Sequence, residues 1–491
     1  MTSTSDPGRE RRLAVAVLIC CAAGLGLGRI IGSEYLHEPS VHKAEGSKSP
    51  RPAWPDARPE PYPTFGSNDR SRWACVRALV DHGTFVIGRR GVKDDPKSDR
   101  GIVFEDGWRT VDKVLHPERL EFFSTKPPLL TVLAAGEYWL VKSLFGWEVV
   151  RDRWLVVRAV LITFNLVPFL LFLVLMADLA WRFSSDAFAL YFVVAAAAFG
   201  GMAWPFLITF NNHVPAMCAT AAALWCAVRV EMDGSPAAWL FAVAGLASGF
   251  AFACELPALS LLAALGAYFL GRAPSRALAL FLPLALIAPA AQAGLDYAQT
   301  GKVTPTYASF GTEWYTYPGS HWLPPGKSKR GIDYAGRDHE DRPAETRGQY
   351  AFHLLLGHHG YFSLMPVWLL SLPGMALGMA RMNASDRAAR AWGRSAVLCL
   401  LVSAAVFAFY LYKSDNYGGW CNGPRWLMWL APLWLASLTP VAAWLSRSRA
   451  GVALALLLLA ASMMSMNYHA WNPWRHPWIY EWMDARGWIH Y

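Results

Sequence analysis

The run WLVVRAVLITFNLVPFLLFLVLMADLAW at residues 154–181 decides the fold. Crossing a bilayer takes about 20 predominantly apolar residues, and this run is long enough to do so. The pattern recurs outward from it. Further apolar runs lie at roughly 13–31, 187–208, 214–231, 237–254, 257–271, 277–297, 361–380, 395–412, 426–445 and 451–467. Together they predict eleven spans, with 237–271 open to being one long buried feature or two short spans. The expected fold class is therefore an all-α polytopic membrane protein.

Composition agrees. Of 491 residues 54% are hydrophobic and only 16% are charged, against about a quarter charged in a soluble domain. This excludes a disordered chain, a collagen-like chain and a disulfide-stapled miniprotein. The 24 Trp and 18 Tyr suit two membrane–water interfaces, where such rings collect. The net charge of +9 is not a nucleic-acid signal, because the basic residues sit in short loops between apolar runs. Lys and Arg on the cytoplasmic side of a membrane protein account for them. The eight cysteines form no CxxC pair, and only Cys75 and Cys421, both in outer loops, offer a candidate disulfide.

Orientation follows from alternation. Arg9, Arg11 and Arg12 precede the first run, which reads as an uncleaved anchor with its N-terminus cytoplasmic. The other inside loops then hold Arg182, Arg229, Arg272 and Arg276, then Arg381, Arg387, Arg390 and Arg394, then Arg447 and Arg449. All 13 histidines fall outside or at an outer boundary. The chain divides into an anchor (1–32), a first outer loop (33–153), a transmembrane core (154–298), a second outer loop (299–360), C-terminal spans (361–467) and an aromatic outer tail (468–491). The first loop opens with a proline-rich stretch from Pro50 to Pro63, which is not helical. Loops this long are usually functional or disordered, and the aromatic content of both argues for function.

Polar residues gather on the outer side. Asn68-Asp69-Arg70-Ser71-Arg72-Trp73 leads into an amphipathic helix, where Asp69 either caps the helix or does chemistry. Ser124-Thr125-Lys126-Pro127-Pro128-Leu129 starts another helix, expected along the membrane surface. A lysine at a helix N-terminus does not help the helix, but it does help an anion bind there. Asn212 and His213 follow Asn211 at a short outer turn, and Glu255 interrupts an apolar stretch, where an acid is costly. A glycine-rich turn from Lys413 to Arg425 contains Asp415, Tyr417 and Trp420, and Arg425 can grip a phosphate with two parallel bonds. Membrane anchoring and snorkelling compete with each reading taken singly. The shared side points to one polar chamber with cations for an anion and a carboxylate for a proton.

These residues resemble the GT-C superfold of membrane glycosyltransferases, especially the bacterial protein O-mannosyltransferase and aminoarabinose transferase-like group. Three motifs carry the likeness: Asp69, Arg72 and Trp73 before the amphipathic helix; Lys126-Pro127-Pro128-Leu129; and the turn Gly419 to Arg425. The family commonly pairs Asp with Glu in the first loop, whereas Asn68-Asp69 leaves one carboxylate there, which argues against a metal-assisted or two-carboxylate version.

The resemblance implies a GT-C-like bundle whose long first extracytoplasmic loop carries interfacial helices. It also implies sugar transfer, hexosyl or pentosyl, from a polyprenyl-phosphate donor at the non-cytoplasmic face of a bacterial inner membrane, with inversion. Asp69 is then the general base, and Lys126, Arg425 and Arg72 neutralise the leaving phosphate. Asn212, His213, Glu255, Tyr417, Trp420, Trp314 and His359 are expected to contact substrate, with Glu313, Tyr315, His321 and His358 also available to shape acceptor choice. No cofactor is required. A divalent cation is an option, but no residue is assigned as its ligand, because the histidines lack HExxH or HxH spacing. Partners are the donor lipid, membrane lipids and a lipid, glycan or protein acceptor, with no nucleic acid. The rival is a polytopic transporter or lipid flippase, which needs ionisable residues at mid-membrane and paired broken helices.

Overall fold

The computed structural model describes residues 7–33, 66–322, 345–414 and 417–489. The proline-rich stretch, Asp415 and Asn416 lie outside the described residues. Each expected apolar run contains helix. Seven helices are long and apolar enough to cross a membrane: Gly8–Gly32, Arg153–Phe183, His213–Met232, Pro274–Thr300, Arg387–Lys413, Arg425–Leu445 and Arg449–Tyr468. Ala187–Phe199, Ala238–Cys254, Leu256–Arg272 and Pro366–Met379 are apolar but shorter. Seven candidate spans thus stand among the described residues where eleven were expected.

Two of the shortfalls have a clear cause. The run 187–208 leaves the helix after Phe199, at Gly200-Gly201, and continues as the short helix Ala203–Phe206. The run 237–271 is two helices, broken at Glu255, whose backbone is extended (φ −135°, ψ 106°). Buried non-helical backbone is tolerated only where its polar groups are satisfied, and a neighbouring side chain does so here. Fully buried Asn165 lies in a π-type turn, Ile162–Leu166, of the long Arg153–Phe183 helix. Its Nδ2 donates to the carbonyls of Phe206, Leu207 and Thr209 at 3.3, 3.0 and 2.8 Å. Asn211 completes the support. Its Nδ2 donates to Phe206 and Thr209, and its Oδ1 accepts from the backbone N–H of His213 and Val214, both at 3.0 Å.

Helix packing is close where small residues allow it. Gly245 and Gly249, a G-x-x-x-G pair, lie against the helix running from Pro274 to Thr300. An added Cβ would meet the Phe281 carbonyl oxygen at 2.2 Å and that of Ala285 at 2.1 Å. Small residues at this spacing let membrane helices pack backbone to backbone.

The first loop holds more than helices. After α1 (Pro7–Gly32) and α2 (Ser67–His82), it forms β1 (Gly88–Val92), β2 (Asp95–Arg100), β3 (Lys113–Leu115) and β4 (Glu121–Ser124), then α3 (Pro128–Phe145). The strands make one antiparallel sheet in the order β2-β1-β4-β3. No apolar alternation marks β1 or β2 in the sequence, so the sheet goes unseen there. It holds together partly through Phe122, which meets Phe104 and Tyr317 edge to face.

The basic loops gather at the end of the bundle away from this sheet. Arg11 donates to the Ser185 carbonyl, Arg276 to that of Pro236 and Arg387 to that of Met232, while Arg390 and Arg394 each reach Glu231 at 2.6 Å. Cys75 and Cys421 are both buried free thiols, so they are not a disulfide.

Gly249→Leu tests the packing. The overpacked contact is expected to destabilise by about 1–3 kcal/mol, read as a lowered melting temperature in detergent. Gly271→Ala, where an added Cβ meets nothing within 4 Å, is expected to leave the melt unchanged or slightly raised.

Candidate active site

The site is built from the start of α2. Asp69, 1% exposed, is at the third helical position and reaches back, so that Oδ1 accepts from the backbone N–H of Gly66 at 2.8 Å and of Arg70 at 3.1 Å. This is half of a capping box. Its Oδ2 accepts from the Thr209 hydroxyl at 3.1 Å, on the segment that Asn165 supports. The same turn fixes the neighbouring chain. Ser67 Oγ accepts from the Val111 N–H at 2.6 Å, Arg70 Nε donates to the Arg109 carbonyl at 2.6 Å, and Ser71 Oγ donates to the Asp112 carbonyl at 2.5 Å.

Asp112, placed by these bonds, is the ion partner of Lys126, with Oδ1 at 2.7 Å from Nζ. Lys126 lies between the end of β4 and the start of α3, which has Pro127 and Pro128 at its entrance. The Lys126 N–H donates to Ser124 Oγ at 3.1 Å, and the Leu129 N–H to Gln292 Oε1 at 3.0 Å. Burial strips hydration from the ammonium and lowers its pKa to about 8. Asp112 opposes this drop, while Arg72 and Arg425 add to it. Burial alone would raise the Asp112 carboxyl. Lys126, with Arg425 and Arg72 beyond it, outweighs that and holds the group below the ordinary carboxylate range. Three cations from separate elements therefore act on one another here.

A ring of polar contacts joins the remaining groups. Arg72, fully within the protein, donates from one terminal nitrogen to Asn68 Oδ1 at 2.9 Å and from the other to Asn212 Oδ1. Its Nε has no acceptor among the described residues. Asn212 Nδ2 donates to Glu255 Oε1 and to the Cys254 carbonyl, each at 2.7 Å. His213 Nδ1 contacts the same Glu255 oxygen, and its Nε2 lies 3.3 Å from Arg425 NH1. A guanidinium only donates, so His213 accepts at Nε2 and donates from Nδ1 to Glu255. Arg425 also donates from Nε to the Gly418 carbonyl at 2.9 Å and stacks over Trp474, 4.8 Å from the ring centroid. Trp474 Nε1 donates to Thr209 Oγ1 at 3.1 Å, which closes the circuit to Asp69. Gly66 rests on the same indole, where a Cβ would meet ring carbons at 2.7–2.9 Å.

Asp69, Arg72, Lys126, Asn212, His213, Glu255 and Arg425 thus form one assembly. The other candidates sit elsewhere. Trp314 packs on His116 with ring centroids 4.7 Å apart, in a small core with Val114, Phe123 and Tyr315. Tyr417, Trp420 and His359 belong to a separate aromatic group around His476 and Tyr480. Asp112, Thr209 and Trp474 are members of the assembly that no sequence pattern singles out. An acid in a run of mixed charge and one Trp among 24 carry no local signature. The assembly can bind an anion through Lys126, Arg72 and Arg425, and it keeps carboxylates beside them to accept a proton.

No protein-family model and no curated protein matches this sequence. Among solved structures, the chain is similar to apo ArnT from Cupriavidus metallidurans at 14% identity and a TM-score of 0.46, over 94% of this chain and 76% of that one. ArnT from the same organism bound to undecaprenyl phosphate gives 15% identity and a TM-score of 0.47, over 91% and 62%. The apo oligosaccharyltransferase of Archaeoglobus fulgidus gives 12% and 0.45, over 96% of this chain, which spans only 57% of that protein's length.

Proposed function

We propose that the chain is a membrane glycosyltransferase that takes a sugar from a polyprenyl-phosphate donor at the non-cytoplasmic face of a bacterial inner membrane, with its N-terminus in the cytoplasm. The observation that carries this reading is the meeting of Lys126, Arg72 and Arg425, from three separate elements, at the N-terminal end of α3. Lys126 is paired with Asp112, while Arg72 and Arg425 reach Glu255 only through Asn212 and His213, which leaves guanidinium donors for an incoming anion. The Arg72 Nε, which has no acceptor among the described residues, supplies a further donor.

In the proposed step, an acceptor hydroxyl attacks the anomeric carbon and the bond from that carbon to the phosphate oxygen breaks. The proton passes to a carboxylate, and the lipid phosphate leaves with its charge matched by Lys126, Arg72 and Arg425. A single displacement inverts the anomeric centre. Asp69 is the proposed base, acting through Oδ2, which can accept a second hydrogen bond beside that of Thr209. Asp112 is a second reading. Its side chain is 18% exposed and touches Lys126, whereas Asp69 is 1% exposed. An acceptor that is itself a phosphate needs no base, and Asp69 then only orients α2. Asn212, His213 and Glu255 hold Arg72 and Arg425 in register for the donor. The runner-up remains a transporter or lipid flippase, which binds the lipid without turning it over.

Transfer by purified protein in nanodiscs, offered a panel of radiolabelled polyprenyl-phosphate sugars with membrane extract as acceptor, tests the reading. Lys126→Ala and Arg425→Ala are each expected to lower turnover by about 10²–10³, as loss of one preorganised donor does. Asp69→Asn and Asp112→Asn separate the two bases, since the true one should lose roughly 10²–10⁴ and the other much less. Full activity in Lys126→Ala would remove the donor site. Donor binding without turnover across the panel would favour the transporter.

Binding of the lipid phosphate that leaves should also depend on pH. Lys126 is charged below about 8 and neutral above it, while a phosphate monoester is already ionised there. Affinity for undecaprenyl phosphate is therefore expected to fall as pH rises through about 8. Lys126→Arg, which stays charged, should remove that fall. Binding isotherms from pH 6.5 to about 9.5 read it directly.

A further inference from the structure

A second cluster of titratable side chains lies outside the assembly above. Glu345 precedes the helix Arg347–Leu355, His353 is on that helix, and His358 and His359 follow it. One ligand atom from each of Glu345, His353 and His358 lies within 4.8 Å of the other two. The carboxylate is already oriented, because the Tyr417 hydroxyl donates to Oε2 at 2.6 Å, while Oε1 faces His353 Nε2 at 3.8 Å. The His353 ring has glycine beneath it. A Cβ at Gly357 would meet Nδ1 at 2.3 Å, so only glycine fits there. His359 is 2% exposed, and its Nδ1 is 2.5 Å from Nδ1 of His358.

Hydrogen bonding alone leaves this group half explained. His353 Nδ1 and His359 Nε2 are buried without a hydrogen-bond partner among the described residues. A neutral imidazole is the form that binds metal. In the tautomer in which His358 donates from Nδ1 to His359, its Nε2 carries the lone pair and can act as a ligand. A ligating histidine commonly donates its other N–H in this way.

We propose that Glu345, His353 and His358 bind one divalent transition-metal ion of the zinc class, with Tyr417 holding the carboxylate and His359 holding His358. Two imidazoles and a carboxylate are a zinc donor set that leaves a fourth position for water. Ligand atoms around tetrahedral zinc sit about 3.3 Å apart, and the His353 and His358 rings, stacked with centroids 4.1 Å apart, must turn out of their stack to converge on one ion. Tyr417 precedes the Gly418–Arg425 turn, so the ion ties the end of the second loop to the segment that carries Arg425. The ion would thereby brace the segment that carries Arg425.

The full chain in detergent, stripped with a chelator and titrated with Zn²⁺ against a chromophoric competitor, tests this. Wild type is expected to bind one ion per chain and to melt at a higher temperature with zinc than without. His353→Gln and His358→Gln should each weaken binding roughly 100-fold, and Glu345→Gln and Tyr417→Phe about tenfold. His213→Ala should bind as wild type does. The melt in chelator reports folding of each variant, and the rise on adding zinc reports the site, so a variant that folds poorly does not obscure the result. Wild type that binds no zinc, or Glu345→Gln and His358→Gln that bind as tightly as wild type, would overturn the proposal. Loss of binding in His213→Ala alone would place the ion elsewhere and overturn it too.

Discussion

Backbone that leaves a helix inside a membrane bundle must have its carbonyls answered by protein, and here one amide does most of that. Asn165 donates to three carbonyls where the chain leaves the helix, those of Phe206, Leu207 and Thr209. Because those carbonyls are satisfied, the chain can run non-helically from Leu207 to Asn212 and restart as a helix at His213. Thr209, Asn212 and His213 then point toward the groups they touch. An unsatisfied buried carbonyl would cost about 1–3 kcal/mol each, so without Asn165 the helix would tend to continue and carry these residues off in a spiral. Glu255 does similar service on the neighbouring break. Its carboxylate takes bonds from both Asn212 and His213, and so joins two interrupted runs at the same level.

Charge in this assembly is organised by sharing. Asp112 neutralises Lys126 directly and lies within the field of Arg72 and Arg425. Glu255 balances the two arginines through Asn212 and His213 rather than by contact. Neither arginine is thereby locked into a tight carboxylate pair. A bidentate carboxylate would compete with an incoming phosphate for the same donors. Indirect neutralisation keeps the cations tolerable in the absence of a ligand and leaves donors for one.

The C-terminal tail is a structural partner of the first loop. Trp474 lies between Arg425 and Gly66, and its indole N–H reaches Thr209. The Asn422 N–H donates to the Pro473 carbonyl at 2.9 Å, which binds the tail to the Gly418–Arg425 turn. Beyond it, His476 and Tyr480 stack beside His359 and Tyr417. Segments far apart in the chain thus share one continuous aromatic wall, and the proposed metal ion would stiffen it from the other side.

Features that depend on short-range pattern are legible in the amino-acid sequence. Apolar runs mark the helices because hydration of each residue is a local property, and the helix beginning at Lys126-Pro127-Pro128 is legible because proline restricts only its neighbours. The polar residues Asp69, Arg72, Asn212, His213, Glu255 and Arg425 were also legible, since a polar group beside a membrane run is conspicuous. Tertiary structure alone decided the rest. The small sheet β1–β4 has no apolar alternation, so its strands are defined by their partners. Whether Asp69 caps a helix or also meets Thr209 depends on a segment whose path Asn165 sets. Asp112 became the partner of Lys126 only once Ser67, Arg70 and Ser71 had pulled residues 109–112 against α2. Trp314 and His359, alike in sequence as aromatic residues of one loop, went to two different clusters, because packing partners from β3, β4 and the tail, and not the loop itself, select where each ring is buried.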